Sequence, residues 1–259
     1  MSAESSPEEA VLTEKRGRIL IITINRPEAK NSVNAAVSHA LAAAMDALDE
    51  DPGLSVGVLT GAGGTFCAGM DLKAFARGEN VAVKGRGLGF TERPPAKPLI
   101  AAVEGYALAG GTELALATDL IVAARNSAFG IPEVKRGLVA AGGGLLRLPQ
   151  RIPYAIAMEL ALTGENLPAE RAHELGLVNV LAEPGQALEQ AIALAERITA
   201  NGPLAVAATK RVIVESRGWT PENQWREQMA IIMPVFGSKD AKEGAIAFAE
   251  KRPPNWTGS

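Results

Sequence analysis

Two glutamates and three glycine-rich turns are the parts of this 259-residue chain whose types and spacing could do chemistry. The turns are Gly61-Ala62-Gly63-Gly64-Thr65-Phe66-Cys67-Ala68-Gly69-Met70-Asp71, then Gly105 through Gly110-Gly111-Thr112-Glu113, then Gly142-Gly143-Gly144. A dinucleotide fingerprint needs glycine at its first, third and sixth positions, and the sixth residue counted from Gly61 is Phe66. No Gly-x4-Gly-Lys-Ser/Thr occurs either, so a P-loop has no support. Glycine also lets backbone approach a ligand closely, and free N–H groups at a helix start point toward negative charge. Two such groups converging on one carbonyl oxygen make an oxyanion hole. Glu113 lies about one helical turn beyond Gly110 and is followed by Leu114-Ala115-Leu116-Ala117. A carboxylate in so apolar a helix must be paired, hydrogen-bonded or functional. Glu133, after Ile131-Pro132, is the second carboxyl beside these turns.

Something must hold these turns. Ile19–Ile24 is a β-branched run suited to a buried strand, and Val56–Thr60, Leu99–Val103 and Leu120–Ala124 read as further strands. A helix starts near Asn34, with Val37, Leu41, Met45 and Leu48 on one face, and Gly110–Ala117 is a second helix. Helical patterns then dominate: Tyr154–Thr163, Ala169–Leu175, Gln186–Ala200, Leu204–Ser216 and Pro221–Val235. The strand–helix alternation of the first half implies an α/β core. The expected organisation is a loose acidic tail over 1–10, a core over 11–184 and a helical region over 185–259. Glycines and prolines across 77–95 predict a mobile loop.

Composition excludes several classes. A 47% hydrophobic content with net charge −3 is incompatible with a disordered chain. With 26 basic against 29 acidic residues and no basic run, nothing marks a nucleic-acid binder. The apolar stretches are too short to span a membrane, and the acidic N-terminus resembles neither a secretory signal nor a transit peptide. The expectation is a soluble cytoplasmic protein. The lone Cys67 rules out internal disulfides and reads as packing, and His39 and His173 read as surface residues with no metal-ligand spacing. Trp219 and Trp225 read as packing or subunit contacts.

Four segments, in order, resemble one known family. Phe66-Cys67-Ala68-Gly69-Met70-Asp71-Leu72-Lys73 resembles the crotonase signature around the first oxyanion donor. Gly105–Glu113, continuing through Thr118-Asp119 to Phe129-Gly130-Ile131-Pro132-Glu133, resembles its second half, and Ala247-Phe248-Ala249-Glu250-Lys251-Arg252 its C-terminal end. The resemblance spans about residues 11–255 and is to the enoyl-CoA hydratases of the crotonase superfamily. It implies an α/β fold, the crotonase (ClpP-like) spiral of stacked β-β-α units, with a C-terminal helical layer that drives trimers or hexamers (dimers of trimers). It also implies acyl-CoA thioester substrates, with coenzyme A carried in on the substrate and no metal or redox cofactor.

Position by position, the resemblance makes the backbone N–H groups of Met70 and Gly110 the oxyanion donors, and Glu113 and Glu133 the catalytic pair. Ala68, Met70, Asp71, Leu72, Lys73 and Gly110 would line the substrate and its CoA portion, and Lys251 would reach CoA near a subunit boundary. Ile131 stands where hydratases commonly carry a polar residue. The implied activity is hydration of a 2-trans-enoyl-CoA in fatty acid or other acyl-CoA catabolism. The end of the chain from Phe248 to Trp256, and Leu146-Arg147-Leu148-Pro149, also resemble the carnitinyl-CoA dehydratase branch. That activity, a Δ3,Δ2-enoyl-CoA isomerase and a non-catalytic acyl-CoA binder are the alternatives. Both glutamates being present favours hydration over the last two.

Overall fold

The computed structural model describes residues 10–259, so the expected tail over 1–9 lies outside the described residues. Ala10, counted in that tail by the sequence reading, is fully buried, and its carbonyl accepts from Asn25 N at 2.9 Å.

A six-stranded sheet carries the chain, in the order β1-β2-β3-β4-β6-β9. Its strands are β1 (Val11–Arg16), β2 (Ile19–Ile24), β3 (Val56–Gly61), β4 (Leu99–Val103), β6 (Leu120–Ala124) and β9 (Val180–Ala182). Only the β1–β2 pair is antiparallel. A second sheet holds β5 (Tyr106–Leu108), β7 (Ala128–Gly130) and β8 (Asn166–Pro168) in the order β5-β7-β8. The chain therefore alternates between sheets: β4 in the large one, β5 in the small one, then helix α3 (Gly110–Ala117), and next β6 and β7 in the same way. These are stacked β-β-α turns.

The near-continuous apolar runs of the central strands follow from burial on both faces. Side chains alternate along a strand. Leu20, Ile22 and Ile24 face one core, with Leu99, Ala101 and Val103, while Ile19 and Ile21 face a second, with Ile100, Ala102, Val122 and Ala124. Helix α1 (Ala35–Glu50) covers the first face through Val37, Leu41, Met45 and Leu48, and its N-cap Asn34 side chain accepts from Val37 N at 3.0 Å. Helix α7 (Ala187–Thr199) covers the second with Ala187, Ala191, Ile192 and Ala195. The remaining helices are α2 (Leu72–Ala76), α4 (Gly144–Arg151), α5 (Tyr154–Thr163), α6 (Ala169–Glu174), α8 (Pro203–Glu215), α9 (Gln224–Phe236) and α10 (Lys239–Glu250).

Three differences from the sequence reading have physical causes. Strand β1 escaped it because five of its six residues are exposed and the strand sits on a sheet edge, so it carries polar residues. Helix α9 begins at Gln224 and not at Pro221, because Thr220 N donates to Asn223 Oδ1 at 2.8 Å and closes a turn first. The predicted loop over 77–95 is not a free excursion: Leu88, Gly89, Phe90 and Thr91 are buried, with Phe90 wholly inside the core. Among the described residues no helix is long and apolar enough to cross a membrane.

Candidate active site

The first two glycine turns lie side by side because a short parallel bridge joins Cys67 to Ala107. Cys67 N donates to Tyr106 O at 2.9 Å and Leu108 N to Cys67 O at 3.0 Å. On the far side Val33 bridges Met70: Val33 N donates to Gly69 O at 2.8 Å and Asp71 N to Val33 O at 2.8 Å. In such a bridge the flanking residues make the hydrogen bonds and the middle residue's own N–H points the other way. The Met70 N–H thus points away from Val33. A Cβ placed on Gly110 would lie 3.4 Å from Met70 N, and one on Gly69 would lie 3.2 Å from Gly110 N. Among the described residues neither the Met70 nor the Gly110 N–H finds an acceptor within the chain.

This convergence needs unusual backbone. Ala109, the residue before α3, has φ 51° and ψ −124°, a conformation that costs a non-glycine residue on the order of 1–3 kcal/mol. It is held there because Ala109 N donates to Gly130 O at 2.8 Å. Thr112, one turn into α3, reinforces the same corner: its Oγ1 accepts from Gly130 N at 3.0 Å and lies 2.6 Å from Ala107 O. Gly69 has φ 101°, and a Cβ there would stand 2.7 Å from the Ala109 Cβ.

Glu113 points from α3 into the third glycine turn and is 3% exposed. Its Oε1 accepts from Gly144 N at 3.0 Å, and the Gly142 N–H also bonds the carboxyl. A Cβ on Gly142 would lie 2.6 Å from Glu113 Oε2, so glycine is what lets that backbone close on the carboxylate. Burial pushes the Glu113 carboxyl above its usual range, against the pull of the Gly144 and Gly142 N–H groups and the Arg147 charge. Glu133 stands on the 3₁₀ turn Pro132–Arg136. Burial, aided by the negative charge of Glu113, raises its carboxyl too, and its buried Oε2 has no hydrogen-bond partner. Ile131, whose Cδ1 would lie 3.0 Å from a Cβ on Gly144, supplies apolar wall beside Glu113. Glu113 is held by N–H donors near a guanidinium and Glu133 has a bare oxygen, yet burial lifts both carboxyls above their ordinary range.

The other sequence candidates divide. Ala68 N donates to Lys30 O at 3.0 Å, fixing the strand that leads to Met70. Asp71 caps α2 through Lys73 N and Ala74 N, and its Oδ2 pairs with Arg26 at 3.0 Å. Burial opposes its charge, but the Ala74 and Lys73 N–H groups and Arg26 outweigh it and leave the carboxyl below its ordinary range. Leu72 and Lys73 are exposed on the first turn of α2. Lys251 caps the C-terminus of α10 in a left-handed conformation, and within this chain its side chain makes no hydrogen bond or ion pair among the described residues. Cys67 is fully buried, and burial pushes its thiol up to about 12, so it packs as a neutral side chain. Sequence reasoning left three contributors without a role: the Gly142–Gly144 turn, Arg147 behind it, and Leu88. The Leu88 Cδ1 would lie 2.9 Å from a Cβ on Gly110 and 3.2 Å from one on Gly142, so it stands between the donor turn and the Glu113 turn.

The enoyl-CoA hydratase/isomerase family model matches residues 14–259. The chain belongs to that family. It is 45% identical to enoyl-CoA hydratase EchA19 of Mycobacterium tuberculosis, with 98% of each chain covered. It is also 42% identical to the carnitinyl-CoA dehydratase of Salmonella arizonae, covering 96% of this chain and 99% of that one. Among solved structures, enoyl-CoA hydratase EchA1 from Mycobacterium marinum is 82% identical and superposes with a TM-score of 0.96, over 97% of this chain and 100% of that one. The α/β spiral of this chain is therefore the crotonase fold of its structural neighbours.

Proposed function

We propose that this chain adds water across the C2–C3 double bond of a 2-trans-enoyl-CoA thioester. The carrying observation is the paired, unpartnered N–H groups of Met70 and Gly110 beside two carboxyls that burial raises above their ordinary range. The thioester oxygen sits between the two donors, and as electron density moves onto it the resulting enolate is stabilised. Each donor of this kind is typically worth about 10²–10³ in rate. Glu113 orients a water at C3 and accepts its proton as the oxygen–carbon bond forms. Glu133 delivers a proton to C2. Positioned acids and bases of this kind each contribute roughly 10²–10⁴. The reaction transfers no electrons, so it balances without a redox cofactor, and the donors take the place of a Lewis acid.

The substrate enters as its CoA thioester, with Ala68, Asp71, Leu72 and Lys73 along the approach. The assembly in this reading is a homotrimer, alone or as a dimer of trimers. Trp225, Phe236 and Phe248 are 69%, 70% and 88% exposed on α9 and α10, more apolar ring surface than a soluble monomer usually leaves open. Packing that face against a second copy would carry Lys251, three residues after Phe248, toward the neighbouring site. Cytoplasmic location and a role in fatty acid catabolism belong to the same reading.

The test is hydration of crotonyl-, long-chain 2-enoyl and crotonobetainyl-CoA, followed by loss of the conjugated enoyl thioester absorbance, with a 3-enoyl-CoA in which isomerisation would instead raise that absorbance, on wild type and E133Q. Hydration of a 2-enoyl-CoA that is lost in folded E133Q is the expected result. Wild-type turnover in E133Q would overturn the assignment of Glu133. The second reading, a carnitinyl-CoA-type dehydratase, is favoured by the relatives of that description and uses the same machinery. A preference for crotonobetainyl-CoA over crotonyl-CoA would select it.

A further inference from the structure

Arg147 is a half-buried cation that the catalytic pair leaves unexplained. It lies on the first turn of α4 and has no carboxylate within ion-pair distance among the described residues. Its Nη2 donates to Thr91 O at 2.5 Å and its Nη1 to Gly142 O at 3.4 Å. A Cβ on Gly143 would fall 2.2 Å from Nη1 and 3.4 Å from Cζ, so the Nη1 end of the guanidinium abuts the middle of the glycine turn. The two neighbours of Gly143 are the residues whose N–H groups hold Glu113. On its other side, Thr91 fixes the segment that bears Leu88, because Leu88 N donates to Thr91 Oγ1 at 3.0 Å. Burying a guanidinium against carbonyls alone is unfavourable unless the geometry it enforces is needed.

We propose that Arg147 is a positioning residue: its planar fork ties the Gly142 carbonyl to the Thr91 carbonyl and so holds the glycine turn, with its two N–H groups, on the Glu113 carboxyl. The inference rests on Glu113 and Glu133 being the catalytic pair. The fork matters because two Nη atoms held in one plane reach the two carbonyls from separate points, a fixed geometry that a single lysine nitrogen does not reproduce. Its charge has a second effect. The charged groups acting here are Arg147 on Glu113, Glu113 and Arg136 on Glu133, and Arg217 on Arg147, with Arg147 in turn acting on Arg151. Arg147 is the one that favours ionised Glu113.

Two variants separate tether from charge. R147Q removes both, and R147K keeps the charge. The readouts are kcat and KM for crotonyl-CoA, the pH dependence of kcat/KM, the melting temperature, and the infrared carboxyl band of Glu113, assigned by its loss in E113Q. We expect kcat to fall roughly ten- to a hundredfold in both variants with little change in KM, as for a misplaced catalytic group. The acid limb and the Glu113 band should move to higher pH in R147Q and stay near wild type in R147K. Wild-type kcat in folded R147K, or an unmoved band in folded R147Q, would overturn the proposal. If R147Q does not fold, R147K decides alone: reduced kcat with an intact melt supports the tether, and wild-type kcat removes it. Full turnover in E113Q would refute the catalytic pair instead, and the infrared titration would still show whether Arg147 governs Glu113.

Discussion

Replacing Gly142 by alanine should displace Glu113 and ask only a few tenths of an ångström of Leu88, whose Cδ1 would lie 3.2 Å from the new Cβ. Gly142 does not have a positive φ, so alanine brings no backbone strain. Its Cβ would lie 2.6 Å from Glu113 Oε2 and 2.9 Å from Cδ, whereas ordinary contact begins at 3.4 Å. The carboxyl must therefore retreat by about 0.8 Å, and a catalytic group misplaced by about 1 Å costs on the order of 10²-fold in rate. That is about 2.7 kcal/mol of transition-state stabilisation. Because the obstructed atoms are the far end of a side chain, the melting temperature should change little. Two companions calibrate the effect. In G144A the Cβ meets Glu113 Cγ and Ile131 Cδ1 at 3.0 Å, so the required shift and the loss of rate are smaller. In G218A nothing lies within 4 Å, and activity should be unchanged. The assay is kcat/KM for crotonyl-CoA with a thermal melt of each variant. Wild-type kcat/KM in folded G142A would refute the idea that the glycine turn sets the reactive position of Glu113.

Three further outcomes are expected. G110P removes one oxyanion donor while G110A keeps it and adds the same Cβ, 2.9 Å from Leu88 Cδ1, so turnover in G110P should fall about 10²–10³ below that of G110A, read by kcat with a melt of each. L88A opens the space between Gly110 and Gly142, so kcat/KM across an acyl-CoA panel should shift toward bulkier or branched acyl groups. E133Q should be more thermostable than wild type at alkaline pH. Burial and the Glu113 charge raise the folded Glu133 carboxyl above its ordinary 4.5, so wild type gives up stability as pH rises through the raised value. Below 4.5 both folded and unfolded Glu133 are protonated and the difference in melting temperature should close. A gap that persists at acid pH would show that the buried charge is not its source.

The elements most legible in the sequence are those whose burial is simplest. β2, β3, β4 and β6 lie between two covered faces, so they read as unbroken apolar runs, and α1 shows its stripe because one face alone is buried. Three-residue strands such as β5, β7, β8 and β9 are too short to display a period of two, and they are defined by partners distant in the chain. The site divides the same way. Glu113 stood out because its helix is otherwise apolar. The roles of Gly142, Arg147 and Leu88 depend on contacts between turns that are distant in sequence, which no local pattern encodes. Met70 and Gly110 present backbone groups, so side-chain chemistry is silent about them; only the glycines around them gave the hint.

The two halves of this site are held by different means, and that has consequences for how it can change. The donor pair is fixed by main-chain ladders on both flanks, and a Cβ on Gly111 would meet Cys67 O at 2.1 Å, so the turns cannot separate or slide without breaking β5 from its bridge. In the proposed mechanism, stabilisation of an enolate would thereby be built into the fold and would cost no reorganisation when charge develops. The acids are held by softer means: two N–H groups, one guanidinium and an apolar wall. A substitution at Gly142, Gly144, Ile131 or Arg147 can move or retitrate a carboxyl while leaving the enolate site whole. Differences of reaction on this framework should accordingly arise around Glu113 and Glu133, and differences of acyl group at Leu88, with the Met70–Gly110 pair common to all of them.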